Sequence, residues 1–195
     1  MEGTQIGGVI GGNPASGERA MDDKARNRRL KLLAACEGYT ALGMYQHALE
    51  SLGKITCDDG AVFDVNIRRG EVLRQLERHD EALVAFHRAF DDNPDDVDLL
   101  MAMAWCYKRT NQLPRAITSM EQAYRIAPKQ PVILYNLSCY WSLAGNKMQS
   151  LSWLGRALRM DKGLRRLIDD ESDFDPLRHD PDFQMILGAI DQKKG

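Results

Sequence analysis

An all-α fold, a row of stacked helical hairpins, follows from three observations on the sequence. One pattern recurs every 34 residues from Arg29, Phe63, Val97 and Pro131, so that four copies fill residues 29–164. Small residues stand at two fixed places in each copy: Cys36, Gly70, Ala104 and Ser138 at the eighth, and Ala48, Ala82, Ala116 and Ser150 at the twentieth. Large residues stand at two others: Tyr39, Leu73, Tyr107 and Trp141 at the eleventh, and Leu52, Phe86, Met120 and Leu154 at the twenty-fourth. Small side chains let two helices approach closely and large ones fill the space beside them, which predicts one packed interface within each hairpin. A lone hairpin cannot cover its own apolar face, so neighbouring copies must stack to supply the core.

The elements follow in order. Residues 1–20 carry Gly3, Gly7, Gly8, Gly11, Gly12, Pro14 and Gly17, a density of chain breakers that predicts a flexible tail. Order is expected from Met21-Asp22-Asp23, where either Asp can cap a helix through Arg29 and Leu30. The first helices of the hairpins are expected to end near 42, 76, 110 and 144, and the second to span 45–57, 79–91, 113–126 and 147–160. Pro94 and Pro128 stand where a second helix must stop. After Asp161 a non-repeating stretch, 165–195, is expected to cap the array with Leu164, Leu167, Phe174, Leu177, Phe183, Ile186 and Leu187. Its acidic run from Asp169 to Asp175 is read as a solvated loop.

The twenty-seventh place of each copy, Ile55, Ala89, Ala123 and Ala157, together with the proline place of Pro94 and Pro128, completes a six-position pattern that resembles the tetratricopeptide repeat family. Asn66 and Arg69 depart from it, standing where the family is usually apolar, and Gly60 and Lys162 replace a terminal proline. The resemblance implies a right-handed α-solenoid of four helix-turn-helix hairpins, 29–62, 63–96, 97–130 and 131–164, closed by an extension like that of bacterial members. It also implies a concave groove lined by the second, fifth, ninth, twelfth and thirteenth positions of each copy.

Composition limits the partners. A total of 26 Lys+Arg against 28 Asp+Glu gives a net charge of -2, without the basic excess that nucleic-acid or membrane-surface binding uses. No apolar run approaches the ~20 residues of a membrane helix. Acidic Glu2 and the interrupted apolar residues Ile6, Val9 and Ile10 do not form a secretory signal. Cys36, Cys57, Cys106 and Cys139 form no C-x-x-C pair, so free thiols in a cytoplasmic, reducing setting are expected, with Cys57 closing a second helix.

No catalytic or cofactor pattern emerges. The N-terminal glycines lack the G-x-x-x-x-G-K-[ST] of a phosphate loop. His47, His79, His87 and His179 have no Cys or second His within a helical turn, and the pairs His79-Asp80 and His179-Asp180 lack the further ligands of a metal phosphohydrolase. Asp91 to Asp96 begins like a calcium loop, but Ala102 stands where a bidentate Glu is required, and a turn with a helix-capping Asp is the simpler reading.

The groove positions therefore carry the functional expectation: a non-enzymatic module that binds a protein or peptide segment, without cofactor or metal. Ile67, Glu71, Arg74, Met101, Trp105, Lys108, Arg109 and Tyr135 are the candidate contacts. Trp105 is the most informative, because Tyr107 already fills the core position, leaving Trp105 to the groove beside Met101 and Tyr135 as an interaction hot spot. Lys108 and Arg109 form a cationic edge suited to carboxylates. The competing expectation is that the extension or the tail folds over these residues. One branch of the family grips chaperone C-termini with a five-residue Lys/Asn/Arg clamp, but Leu33 and Glu37, or Ile67 and Glu71, stand at its first two positions, so that clamp is absent. Trp153 is assigned to packing between repeats. A secretion-type chaperone holding an unfolded client in the same groove is the alternative reading, and an RNA-binding helical repeat a weaker one. Leu30 and Leu33 leave an apolar edge through which two chains could pair.

Overall fold

The computed structural model describes residues 14–55 and 62–191, with side chains for 23–55 and 63–190. No strand occurs among the described residues, and the helices follow one another in packed pairs: the fold is an all-α solenoid. The chain divides into two compact units, 1–60 and 61–195. Among the described residues no helix is long and apolar enough to cross a membrane.

The first unit is the hairpin of α1 (Pro14–Ala41) and α2 (Tyr45–Gly53). Its core holds Cys36, Ala48 and Leu52, the eighth, twentieth and twenty-fourth residues of the first copy. Helix α1 begins at Pro14, seven residues before the expected onset of order at Met21. The glycine-rich composition does not prevent a helix here. Pro14 is pre-set for a first helical turn, and Ala15, Glu18, Arg19 and Ala20 are strong helix formers that outweigh the ~1 kcal/mol of Gly17. The remaining glycines of the expected tail, Gly3 to Gly12, and Cys57 lie outside the described residues. Helix α2 stops at Gly53, short of the expected residue 57.

In the second unit α3 (Val62–Gln75), α5 (Val97–Arg109) and α7 (Pro131–Leu143) alternate with α4 (His79–Asp92), α6 (Leu113–Ile126) and α8 (Lys147–Met160). Each end agrees with the expected one within a residue or two. The starts have local causes: Asp96 accepts from the Leu99 N–H at 2.8 Å, Asn146 accepts from the Gln149 N–H at 3.1 Å, and Pro114 and Pro131 occupy first turns. Asp96 is thus the helix cap expected of the Asp91–Asp96 run.

The 34-residue period is written into the backbone as well. Gly43, Glu77, Asn111 and Gly145, the fifteenth residue of each copy, have φ of 71°, 58°, 58° and 71°. Around each, the next residue's N–H donates to the carbonyl of the eleventh position, from Met44 to Tyr39, Arg78 to Leu73, Gln112 to Tyr107 and Asn146 to Trp141, at 2.8–2.9 Å. This left-handed helix stop satisfies terminal carbonyls and turns the chain into the second helix of every hairpin.

The small and large positions meet as the pattern requires. Ser150 Oγ donates to the Ser138 carbonyl at 2.8 Å, joining the twentieth and eighth positions of the fourth copy within the core. Gly70 lies directly against the fully buried Phe86 ring. Between copies, Tyr107 Oη and His87 Nε2 are 2.8 Å apart, and Trp153 meets Tyr124 edge-on at 4.9 Å under the Arg156 guanidinium, in its expected packing role. Asn66 is buried despite its polarity.

Beyond α8 come a short 3₁₀ turn at Lys162–Leu164, α9 (Arg165–Ile168), a second 3₁₀ segment at Ser172–Leu177 that packs on α7, and α10 (Pro181–Asp191) on α8. Leu164, Phe174, Leu177, Phe183 and Leu187 are buried as expected. Leu167 is not: it is 47 % exposed, and Ile168, one step round the short helix, takes the inward place. Ile186 is half-buried.

Candidate functional site

The first helices of the second unit, α3, α5 and α7, form the face on which the groove was expected. A concavity of about 320 Å³ opens there between Glu71 and Arg74 of α3, Met101, Trp105 and Lys108 of α5, and Val132, Asn136 and Tyr140 of α7. Glu171 and Asp173 of the extension form its remaining wall. A smaller hollow of about 190 Å³ beside it holds Ile67 and shares Glu71, Asp98 and Ala102 with the first. Five of the eight sequence-selected residues thus line one concavity and Ile67 the next.

Trp105 is the centre of the arrangement. The Arg74 and Arg109 guanidiniums lie over its ring at 5.1 and 5.6 Å, and His79 meets it edge-on at 5.0 Å. Cationic groups over the indole face are attracted by its quadrupole and restrict the ring's rotamer. The indole remains half-buried, so part of its apolar surface is still available to a ligand. Arg74 is further fixed by Glu71, whose Oε2 accepts from Nη2 at 2.6 Å and from Nε at 3.1 Å. Arg109 is exposed at the rim.

The groove face expected of the fourth copy is largely covered, and the expectation for Tyr135 fails. Tyr135 was expected in the groove but is only 4 % exposed, its ring edge-on to Phe174 at 5.8 Å. Cys139 and Ser142, also at groove positions, are buried with it. The extension folds over this end of the array: its 3₁₀ segment packs on α7 and buries Phe174 between Tyr135 and Phe183. The acidic run is solvated only in part: Asp169, Asp170 and Asp175 are exposed, Glu171 and Asp173 are not. Asp173 is buried and accepts from Lys108 Nζ at 2.6 Å, while Arg178 donates to the Ile168 and Glu171 carbonyls at 2.9 and 2.8 Å and holds the segment in shape. Lys108 is therefore not a free cation for a partner's carboxylate. It is already paired inside the molecule and lies 5.7 Å from the Tyr140 ring centre.

The weak acids of this wall report the local field. Burial raises the Cys139 thiol and the Tyr135 and Tyr140 phenols above their ordinary values, and the Glu171 and Asp173 carboxylates push each further in the same direction. None of the three is poised for nucleophilic or acid-base work near neutral pH. Cys139, Glu171 and Asp173 place one ligand atom each within 4.8 Å of one another, yet Lys108 already supplies the positive charge at Asp173. Glu171 and Asp173, which sequence reading missed as groove residues, belong to the non-repeating segment, where no period assigns a side chain to a face.

Residues 73–135 match the family model described as tetratricopeptide repeat. Over that stretch the chain carries tetratricopeptide repeats. No curated protein matches the sequence significantly. Among solved structures, this repeat protein is similar to MamA, at 10 % identity over 86 % of this chain and 94 % of that one, with a TM-score of 0.73. A MamA fragment from Desulfovibrio magneticus RS-1 superposes at 0.65 with 16 % identity, over 78 % of this chain and 97 % of that one. YrrB, described as a TPR protein with an unusual peptide-binding site, superposes at 0.62 with 22 % identity, over 67 % of this chain and 68 % of that one. At these identities the likeness is one of fold.

Proposed function

We propose that this repeat protein is a non-enzymatic interaction module that holds an extended peptide segment of a protein partner against α3, α5 and α7. In this reading four copies spanning 29–164 form the scaffold, and 165–195 closes its end. The observation that carries the proposal is the half-buried Trp105 at the centre of a concavity that also offers the apolar side chains of Met101 and Val132. A large indole that stays accessible while core positions on both sides are filled is the anchor type that dominates protein interfaces. Ile67, Glu71, Arg74 and Arg109 then set the register of the segment rather than supplying most of its affinity, while Lys108 stays held by Asp173. Tyr135 supports the wall from beneath and does not touch the peptide. The YrrB likeness is compatible with a peptide in such a groove.

The test is affinity capture from native lysate with the tagged wild type, a Trp105→Ala/Arg109→Glu variant and an outer-face control, Val84→Ala/Ile126→Ala, whose residues are exposed on second helices. A partner retained by the wild type and the control but lost from the groove variant is expected. Equal retention by all three, with the variants folded by circular dichroism, would move the interaction to another face.

A further inference from the structure

Resting on the groove reading, we propose that the concavity around Trp105 is a receptor for a cationic side chain, a lysine or arginine flanked by apolar residues in the bound segment. Four carboxylates line it, those of Glu71, Asp98, Glu171 and Asp173, against two cations, Arg74 and Lys108. Both cations are already engaged, Arg74 by Glu71 and Lys108 by Asp173, each at 2.6 Å. Asp98 and Glu171 have no cationic partner among the described residues; Glu171 Oε1 accepts only the Asp173 N–H, at 3.2 Å. Even with the exposed Arg109 counted at the rim, the negative charges exceed the positive. The groove therefore has the opposite preference to the carboxylate-binding edge that Lys108 and Arg109 suggest in sequence.

Two further features agree. The carboxylates of Glu171 and Asp173 oppose ionisation of Tyr135, Cys139 and Tyr140 on the same wall, and a field that disfavours new negative charge favours an incoming positive one. The wall also already holds one ammonium in the manner a ligand would use. Lys108 Nζ sits 2.6 Å from a carboxylate oxygen and 5.7 Å from the centre of the Tyr140 ring. For a second cation, Glu171 and Asp98 supply the charge, while Met101, Trp105 and Val132 cover the alkyl stem. About 320 Å³ is room for one long side chain and its immediate neighbours, not for a folded domain.

The experiment is selection of random twelve-residue peptides on phage by the full chain, followed by anisotropy titration of synthetic, labelled winners. Winners are expected to carry Lys or Arg beside an aliphatic or aromatic residue. Glu171→Gln/Asp98→Asn should weaken them at least tenfold, and Lys→Glu in the peptide by more than a hundredfold, with weaker binding at higher salt. Glu171→Gln alone, near-isosteric, serves if the double variant does not fold. Winners that need Trp105 but are neutral or acidic, and that ignore both substitutions, overturn the cationic pocket and leave the groove standing. A selection that yields no Trp105-dependent peptide overturns both.

Discussion

Gly70 and Phe86 allow the packing logic of the repeats to be tested quantitatively. A Cβ placed on Gly70 would lie 2.3 Å from Phe86 Cε1, 2.5 Å from Cδ1 and 2.7 Å from Cζ. Carbon atoms in contact sit at about 3.5–4.0 Å, so Gly70→Ala requires the ring to retreat by roughly 1 Å or more. Phe86 is fully buried and planar, with no flexible end to swing away. Overpacking of this kind costs about 1–3 kcal/mol, and the severity of the overlap points to the upper end. Alanine returns about 1 kcal/mol in helix propensity within α3. The net expectation is a loss of about 2 kcal/mol, or about 4–8 °C in Tm for a chain of this size.

The assay is urea and thermal unfolding followed by circular dichroism at 222 nm on wild type, Gly70→Ala, Phe86→Leu and the double variant. Phe86→Leu alone should lose about 1 kcal/mol of buried contact. In the double variant the smaller side chain makes room for the new methyl, so the two losses should fall short of additivity by about 1–2 kcal/mol. Additive losses, or a Gly70→Ala protein as stable as wild type, would refute the idea that the eighth and twenty-fourth positions are matched in size. The sequence points the same way: the one copy with an aromatic ring at the twenty-fourth place, Phe86, is the one with glycine at the eighth.

Further outcomes can be checked with the same preparations. Glu77 is the one carboxylate among the four left-handed turn residues, at φ 58°, so Glu77→Gly should raise stability by about 1 kcal/mol, whereas Gly145→Ala should lower it by a similar amount, in the same urea titrations. Asp173→Asn leaves Lys108 without its charged partner in a largely buried setting and should cost about 1–3 kcal/mol, with Lys108→Met/Asp173→Asn recovering part of it in a double-mutant cycle. Burial pushes the Cys106 thiol up to about 12 and raises Cys139 as well, so both should resist a thiol-labelling reagent at pH 8 until urea unfolds the chain. Lys147 Nζ lies 2.5 Å from Asp180 and holds that carboxyl below its ordinary value, while the Asp180 and Asp182 carboxylates raise Lys147. The Asp180 contribution is present above the usual Asp pKa of about 3.9 and is lost as pH falls through the lower folded value. Asp180→Asn, which keeps the oxygen that caps α10, should therefore differ from wild type at neutral pH and match it in strong acid.

What the sequence reveals depends on whether a residue belongs to the period. Within it, Trp105 could be assigned to the groove because Tyr107 held the core place, and Trp153 to the seam between copies. The fifteenth position was equally readable from Gly43, Asn111 and Gly145 but was obscured by Glu77, which adopts the same turn because the hydrogen bonds around it, Arg78 to Leu73 among them, impose it. Outside the period no repeat assigns a side chain to a face. Pro14 opens a helix in a glycine-rich stretch, and Asp173 reaches across 65 residues of sequence to neutralise Lys108. That last contact decides more than its own energy. A periodic sequence places each side chain on a face, but the charge a ligand meets is the sum over everything that closes the face. Here a non-repeating segment adds Glu171 and Asp173 to the wall and takes Lys108 out of play. A groove with a cationic edge in the sequence, at Lys108 and Arg109, is, once closed, a concavity around an indole in which carboxylates outnumber cations.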